Sequence, residues 1–256
     1  MTDAFTIVCE VEPAIRADLM HVRHQIGVMS RIASSFLIPD NHIGRATVSS
    51  IAVAHEVALM GGRSIACLNA RDRNVLGFRR DLLTAAASGV DEFLFVYGDR
   101  PETGRRSDDL TVRSMIEEAR RFAADAELAP KPFRIGVSSK VGPLTSWKRR
   151  ADFLFVQVSF SVEELLRWRE TVDFDGPIFA GVMAPPSAGM ARKLSSAIPE
   201  LTVPEPLIQA LDRDRNAGVD FACQMVSEIR QSGAFNGIHL IPVSRYREIA
   251  IRLERA

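Results

Sequence analysis

Eight short apolar runs, separated by stretches of helical character, constrain this chain more than any other feature. They are "FTIVCEVE" (Phe5 to Glu12), "SFLIP" (Ser35 to Pro39), "SIACLN" (Ser64 to Asn69), "EFLFVYG" (Glu92 to Gly98), "FRIGVSS" (Phe133 to Ser139), "DFLFVQVSF" (Asp152 to Phe160), "PIFAGVMA" (Pro177 to Ala184) and "GIHLIPVS" (Gly237 to Ser244). Several are continuous β-branched and aromatic runs, the pattern of strands buried on both faces of a parallel sheet. Between them, Arg45 to Met60 carries apolar residues at near-helical spacing and stops at Gly61-Gly62, while Val75 to Ala87 ends at Gly89. Asp108 to Ala124 and Gly218 to Gln231 also read as helices. The Pro-rich piece from Ile198 to Pro206 falls between the seventh and eighth runs, so 198–217 reads as an elaborated loop. Eight strands alternating with helices over 256 residues imply a single-domain (β/α)8 TIM barrel spanning 1–256. A doubly wound open sheet is the competing fold, disfavoured because no G-x-G-x-x-G follows the first run.

Charge narrows the function classes. Lys and Arg total 32 and Asp and Glu total 32, so no global field attracts nucleic acid or an anionic membrane surface. No apolar run is long enough to span a bilayer, and the start, Met-Thr-Asp-Ala-Phe-Thr, lacks the pattern of a signal peptide. Cys9, Cys67 and Cys223 are far apart and odd in number, which suits buried thiols in a reducing compartment and neither a disulfide framework nor a metal site. A soluble cytoplasmic protein is the expectation. His21 and His24 read as solvated helix positions, His42 as a loop residue able to touch a ligand, His55 as surface, and His239 as a core or pore histidine.

In such barrels the chemistry sits at the carboxyl ends of the strands. Reading only those positions gives Glu10 and Glu12, Asp40-Asn41, Asn69 with Arg71, Asp72 and Asn74, Asp99, Ser138-Ser139-Lys140, Gln157, and Ser244-Arg245. Alternation puts Val8, Glu10 and Glu12 on one face of the first strand, so both glutamates are expected to point into the mouth. A partly desolvated carboxyl there is suited to donating a proton, with a salt bridge to Arg71, Arg73 or Lys140 as the structural alternative. Asp99 follows Gly98 directly; the plain reading is a helix N-cap, but the next helix starts later, which favours a functional role. Gln157 is either a satisfied core amide or a grip for amide and ring-nitrogen edges. Tyr97 is either a core tyrosine or a cover for a ligand ring.

These landmarks, in this order, resemble the methylenetetrahydrofolate reductase family, best its short bacterial and archaeal branch. The resemblance rests on "CEVEP", "PDNHIGRATVSS", "NARDRN", "RRDLLTAAASGV", "FVYGDRP", "RADFLFVQVSF", "PIFAGVMAPPSAGMARKL" and "HLIPVSR". It implies a (β/α)8 barrel that reduces 5,10-methylenetetrahydrofolate to 5-methyltetrahydrofolate, with hydride usually passing from a nicotinamide through bound FAD. By position it implies Glu10 as the acid that opens the imidazolidine ring, Asp99 as the residue that holds the pterin and tunes the flavin, and Gln157 as a contact to folate and nicotinamide. Asp40-Asn41 and Arg71 to Asn74 match family loops at the mouth, and Arg245 an arginine near the folate tail.

Departures from the family pattern are Val11-Glu12 for a Phe-Phe pair, Ala14 for a proline, Ser64 for a histidine, and Ala188 near the position of a folate-packing aromatic. Only Ser139 to Ala151 connects the fifth and sixth runs, where relatives carry a longer loop and helix that hold FAD; Lys148 reads as a remnant. The expectation is a flavin-free variant taking hydride directly from NADH or NADPH, with FAD disfavoured. The partners expected are folate and nicotinamide, with a homo-oligomer or a partner subunit open. A pterin-dependent one-carbon transferase barrel and a non-catalytic subunit of a larger reductase complex are the alternatives.

Overall fold

A parallel strand pair requires a crossover that returns the chain to the same edge, so strands of this kind recur only with something packed between them. In the computed structural model, which describes residues 5–100, 102–198 and 201–255, all eight runs form strands. They are β1 (Thr6–Glu10), β2 (Ser35–Ile38), β3 (Arg63–Asn69), β4 (Glu92–Val96), β5 (Arg134–Ser139), β6 (Phe153–Val156), β7 (Ile178–Met183) and β8 (Gly237–Ile241). Each pairs in parallel with the next, and β8 closes onto β1 through Val8 opposite His239. The expected single (β/α)8 barrel is therefore the fold.

The crossovers are α1 (Met20–Met29), α2 (Ser50–Leu59), α3 (Val75–Ala87), α4 (Val112–Ala123) and α5 (Val162–Thr171), with α6 (Ala188–Ala197), α7 (Glu205–Arg213) and α8 (Ala217–Ser232) all between β7 and β8. The last helix, α9 (Tyr246–Glu254), packs on α1 and α8. Between β5 and β6 there is no α-helix, only a 3-10 turn at Ser146–Arg150. Among the described residues the barrel is thus thinly covered by this crossover.

Several element boundaries differ from the sequence reading. The segment 198–217, read as a loop, contains α7; its Pro204 and Pro206 sit at the N-cap and in the first turn, where a missing N–H costs nothing. Residues 199–200 of that segment lie outside the described residues. The second helix begins at Ser50 rather than Arg45, because the Ser49 hydroxyl accepts from Ile51 N–H and His42–Gly44 forms its own 3-10 turn. The fourth begins at Val112 rather than Asp108, set by a capping box between Thr111 and Ser114. β6 ends at Val156, so Gln157 lies just past the strand; its N–H still donates to Ser139 O at 2.8 Å.

Alternation divides the core into two. Ile7, Cys9 and Val11 face the helices and join the large outer core, with Phe36, Phe78 and Phe93 among its largest members. Val8 faces inward with Leu37, Ile65, Cys67, Leu94, Phe153 and Phe155 to fill the barrel. That inner layer fixes which side chains of the following residues can reach the mouth.

Candidate active site at the barrel mouth

Glu10 is two residues past the inward Val8 on the same strand, and it faces the barrel interior as alternation requires. His239 on β8 meets it: Nε2 lies 3.2 Å from Glu10 Oε2, the side chains being 10 % and 19 % exposed respectively. The approach is outside hydrogen-bond alignment, and the imidazole nitrogen has no other partner. Phe155 backs the imidazole edge-on at 5.2 Å between ring centroids. The Cys67 thiol in the same interior is pushed well up, first by burial and then by the negative charges of Glu10 and Asp40. His239 was legible in the sequence as a pore candidate; the signal is an imidazole at an inward position of an otherwise apolar strand.

Glu12 lies beyond the end of β1 and is exposed. Its main chain is clipped to Gln25 of α1, whose side chain accepts from Glu12 N–H and donates to Glu12 O, both at 3.3 Å. Only Glu10 of the two strand-one glutamates is thus seated inside the barrel wall.

On the β2–β4 side the mouth is a dense polar network. Asp40 Oδ2 accepts from Asn69 N–H at 3.0 Å, from Asn69 Nδ2 at 2.9 Å and from Arg73 at 2.5 Å. Asn69 Nδ2 also donates to Asp72 at 2.8 Å, and Asp72 N–H returns a bond to Asn69 Oδ1 at 3.0 Å. Asn41 donates to Asp72, and Arg73 reaches Asp81 on α3, each at 2.8 Å. Burial works against the Arg73 charge, but Asp40 and Asp81 outweigh it and its pKa moves up. Asn74, a binding candidate by sequence, is the N-cap of α3, its side chain accepting from Gly77 N–H at 2.8 Å. Asp81, which the sequence did not single out, is the anchor that holds Arg73 to the helix.

The loop after β2 is bound to the loop after β4. Asp99 Oδ2 accepts from Ile43 N–H at 3.0 Å, and Arg45 pairs with Glu102 at 2.6 Å. Asp99 is no helix cap, since that place is held by Thr111. Ile43 has φ +60° and is exposed, and Asn41 (φ +47°) and Val243 (φ +49°) are strained in the same way at this end of the barrel. Gly98 has φ +90°, and a Cβ there would stand 2.8 Å from Asn69 Cβ, so glycine is what lets Asp99 follow so closely on the network. The Arg71 guanidinium lies over the Tyr97 ring at 4.4 Å, and Arg106 donates to the Tyr97 hydroxyl at 3.1 Å.

The β5–β6 side is different. Gln157 is half-buried, and its side-chain amide has no protein partner among the described residues. Gly181 of β7 lets the chain around Gln157 pass closely, since a Cβ would meet Val156 O at 2.6 Å. Ser138 is exposed at the end of β5. Lys148 is half-buried beside Trp147, and its pKa is lowered by burial and by neighbouring Lys140. Arg245 is buried, donating to Asn216 at 2.5 Å and pairing with Glu248 at 3.1 Å, while its Nε has no partner among the described residues. The three cysteines are free, and among the described residues no group of three His, Cys, Asp or Glu side chains could hold a metal. Nor is any described helix long and apolar enough to cross a membrane.

The geometry is that of a carboxyl group held inside a mouth with one densely hydrogen-bonded wall and, among the described residues, one sparsely bonded one. Comparison with known proteins agrees with the family resemblance read in the sequence: residues 144–255 match the family model of methylenetetrahydrofolate reductase. No curated protein sequence matches the chain. Among solved structures, a Clostridium thermocellum protein described as binding two copies of 5-methyl-5,6,7,8-tetrahydrofolic acid aligns with a TM-score of 0.67 at 13 % identity, covering 99 % of this chain and 95 % of that one. The EDTA monooxygenase of Chelativorans sp. BNC1 aligns at 0.57 with 7 % identity, covering 98 % and 94 %. At such identities the likeness is one of fold.

Proposed function

We propose, for a barrel whose residues 144–255 match the methylenetetrahydrofolate reductase family model, that the mouth reduces 5,10-methylenetetrahydrofolate to 5-methyltetrahydrofolate with NADH or NADPH as hydride donor. The observation that carries this reading is Glu10 facing the interior against His239, at a position where a proton can be delivered to a bound ligand. In the proposed sequence Glu10 gives its proton to the departing ring nitrogen. The C–N bond breaks, and the methylene carbon is left as an iminium. Hydride from the nicotinamide then adds to that carbon, giving the methyl product and the oxidised dinucleotide.

Asp99 keeps one carboxylate oxygen without a protein partner among the described residues, and it is assigned to the pterin ring edge. Gln157, whose amide has no partner among the described residues, is assigned to folate and nicotinamide in turn. Arg71 and Tyr97 form one flat face of the rim, and Lys148 is assigned to the dinucleotide phosphates. Asp40, Asn41, Asn69, Asp72 and Arg73 hold the wall in shape, and Arg245 anchors the chain after β8 next to the folate tail. Glu12 stands exposed at the lip.

The residues present do not fit a resident flavin well. The wall that would have to cradle its phosphates is reduced to one 3-10 turn, so the proposed hydride path runs directly from nicotinamide to folate. The Clostridium thermocellum neighbour's folate ligand supports a folate-sized pocket in this barrel type. The test is NADH oxidation with methylenetetrahydrofolate, with and without added FAD. Turnover independent of FAD is expected; a flat trace in both arms removes the reading, and turnover only with FAD removes the direct path.

A further inference from the structure

Among the described residues the barrel is also open at its amino end, away from the mouth. TIM barrels usually fill this level with branched side chains. Here the inward positions at this end of three adjoining strands, β8, β1 and β2, are Gly237, Thr6 and Ser35, Thr6 pairing with Gly237 and Ser35 with Val8. A cavity of about 330 Å³ results, with Val8, Ile65, Phe153 and Phe179 as its apolar floor. That floor is the underside of the inner core, and Phe179 stacks on Phe155 at 5.0 Å, so an aromatic layer separates this space from the mouth.

The rim carries charge in an unbalanced set. Glu92 lies between two arginines, 2.6 Å from Arg63 and 3.1 Å from Arg134. Each guanidinium gives one nitrogen to Glu92 and keeps further N–H donors, and two cations against one anion leave a formal positive charge. The Arg134 guanidinium lies 5.7 Å from the Phe153 ring centroid, so its charge sits directly over the apolar floor. Ser35, paired with Arg63 across the sheet, is 8 % exposed, faces the cavity, and makes no side-chain hydrogen bond among the described residues. The hydroxyl is open to the cavity, so a ligand there can hydrogen-bond to it.

We propose that this cavity is a binding site for a small organic monocarboxylate, its apolar body lying on the Val8, Ile65, Phe153 and Phe179 floor and its carboxylate bridging Arg63, Arg134 and the Ser35 hydroxyl. An apolar cavity of ~150 Å³ takes a single benzene ring, so a ring with a short acidic chain suits the larger volume here. The site is independent of the folate reading, because no residue of it belongs to the mouth.

The experiment is isothermal titration of the full chain with 3-phenylpropionate. Saturable single-site binding is expected, unchanged after saturation with 5-methyltetrahydrofolate. The neutral 3-phenylpropanamide, and the double variant Arg63→Gln/Arg134→Gln, should each bind about tenfold more weakly or worse, as loss of charge-assisted bonds requires. Ser35→Leu should fill the space and abolish binding. No saturable binding, equal affinity for the amide, or displacement by folate each overturns the site. Should Ser35→Leu not fold, the exposed arginine pair decides alone.

Discussion

The two sides of the barrel mouth are built on opposite plans. From β2 to β4 the side chains are spent on one another: Asp40, Asn69, Asp72, Arg73 and Asp81 form a continuous network, and Asp99 ties down the strained Ile43. From β5 to β6 the crossover is a single 3-10 turn, the Gln157 amide has no partner among the described residues, and Lys148 stands near Lys140. A preorganised wall loses little entropy when a ligand docks on it, whereas an amide such as that of Gln157 can supply a contact itself. In the proposed function the first side supplies shape and the second ligand contacts, with Glu10 between them.

The largest effect should come from the residue that serves both sides. Glu10→Gln is expected to lower turnover by about 10²–10⁴-fold, the usual contribution of a positioned acid, with 5-methyltetrahydrofolate binding kept. Parallel loss of binding in calorimetry would make Glu10 a packing residue instead. Next is the networked wall. Arg73→Met leaves Asp40, whose side chain is 4 % exposed, without its counter-charge, and should cost about 3–5 kcal/mol in urea unfolding. A loss below about 1 kcal/mol would mean the wall is not held by that pair.

Smaller again is Gly98→Ala. With φ +90° and Asn69 Cβ only 2.8 Å from the added methyl, it should destabilise by about 1–3 kcal/mol and weaken ligand binding through Asp99. Unchanged folate affinity would separate Asp99 from the network. The least effect, and of opposite sign, belongs to the open side. The pKa of Lys148 is lowered by burial and by Lys140, so the unfolded chain binds more protons between the folded value and 10.5. Stability from this group therefore rises with pH across that interval and is unfavourable below it. Lys148→Met should stabilise the protein at neutral pH by about a few tenths of a kcal/mol after solvent screening, while weakening dinucleotide binding. Destabilisation would show that Lys148 has a structural partner rather than a ligand role.

Much of this was legible in the chain. The eight strands are local apolar runs, and alternation along the first one is enough to turn Glu10 inward once Ile7, Cys9 and Val11 must face helices. The thin β5–β6 connection could be read from its length alone. The α7 helix was hidden because proline was read as a breaker, whereas it occupies the first turn. Asn74 looked like a ligand-binding residue because an N-cap and a binding residue use the same chemistry at the same place, the loop ahead of a helix.

What the sequence determined by itself was whatever depends on near neighbours along the chain: strand and helix periodicity, the closed barrel that follows, and the face on which each strand residue lies. The tertiary structure decided which polar side chains meet. Arg73 chooses Asp40 and Asp81, Glu10 meets His239, and Arg245 turns to Asn216, because loops from separate strands converge only after closure. Periodicity is a property of the backbone, but partner choice among charged and amide groups is set by distances of a few ångströms that only packing fixes.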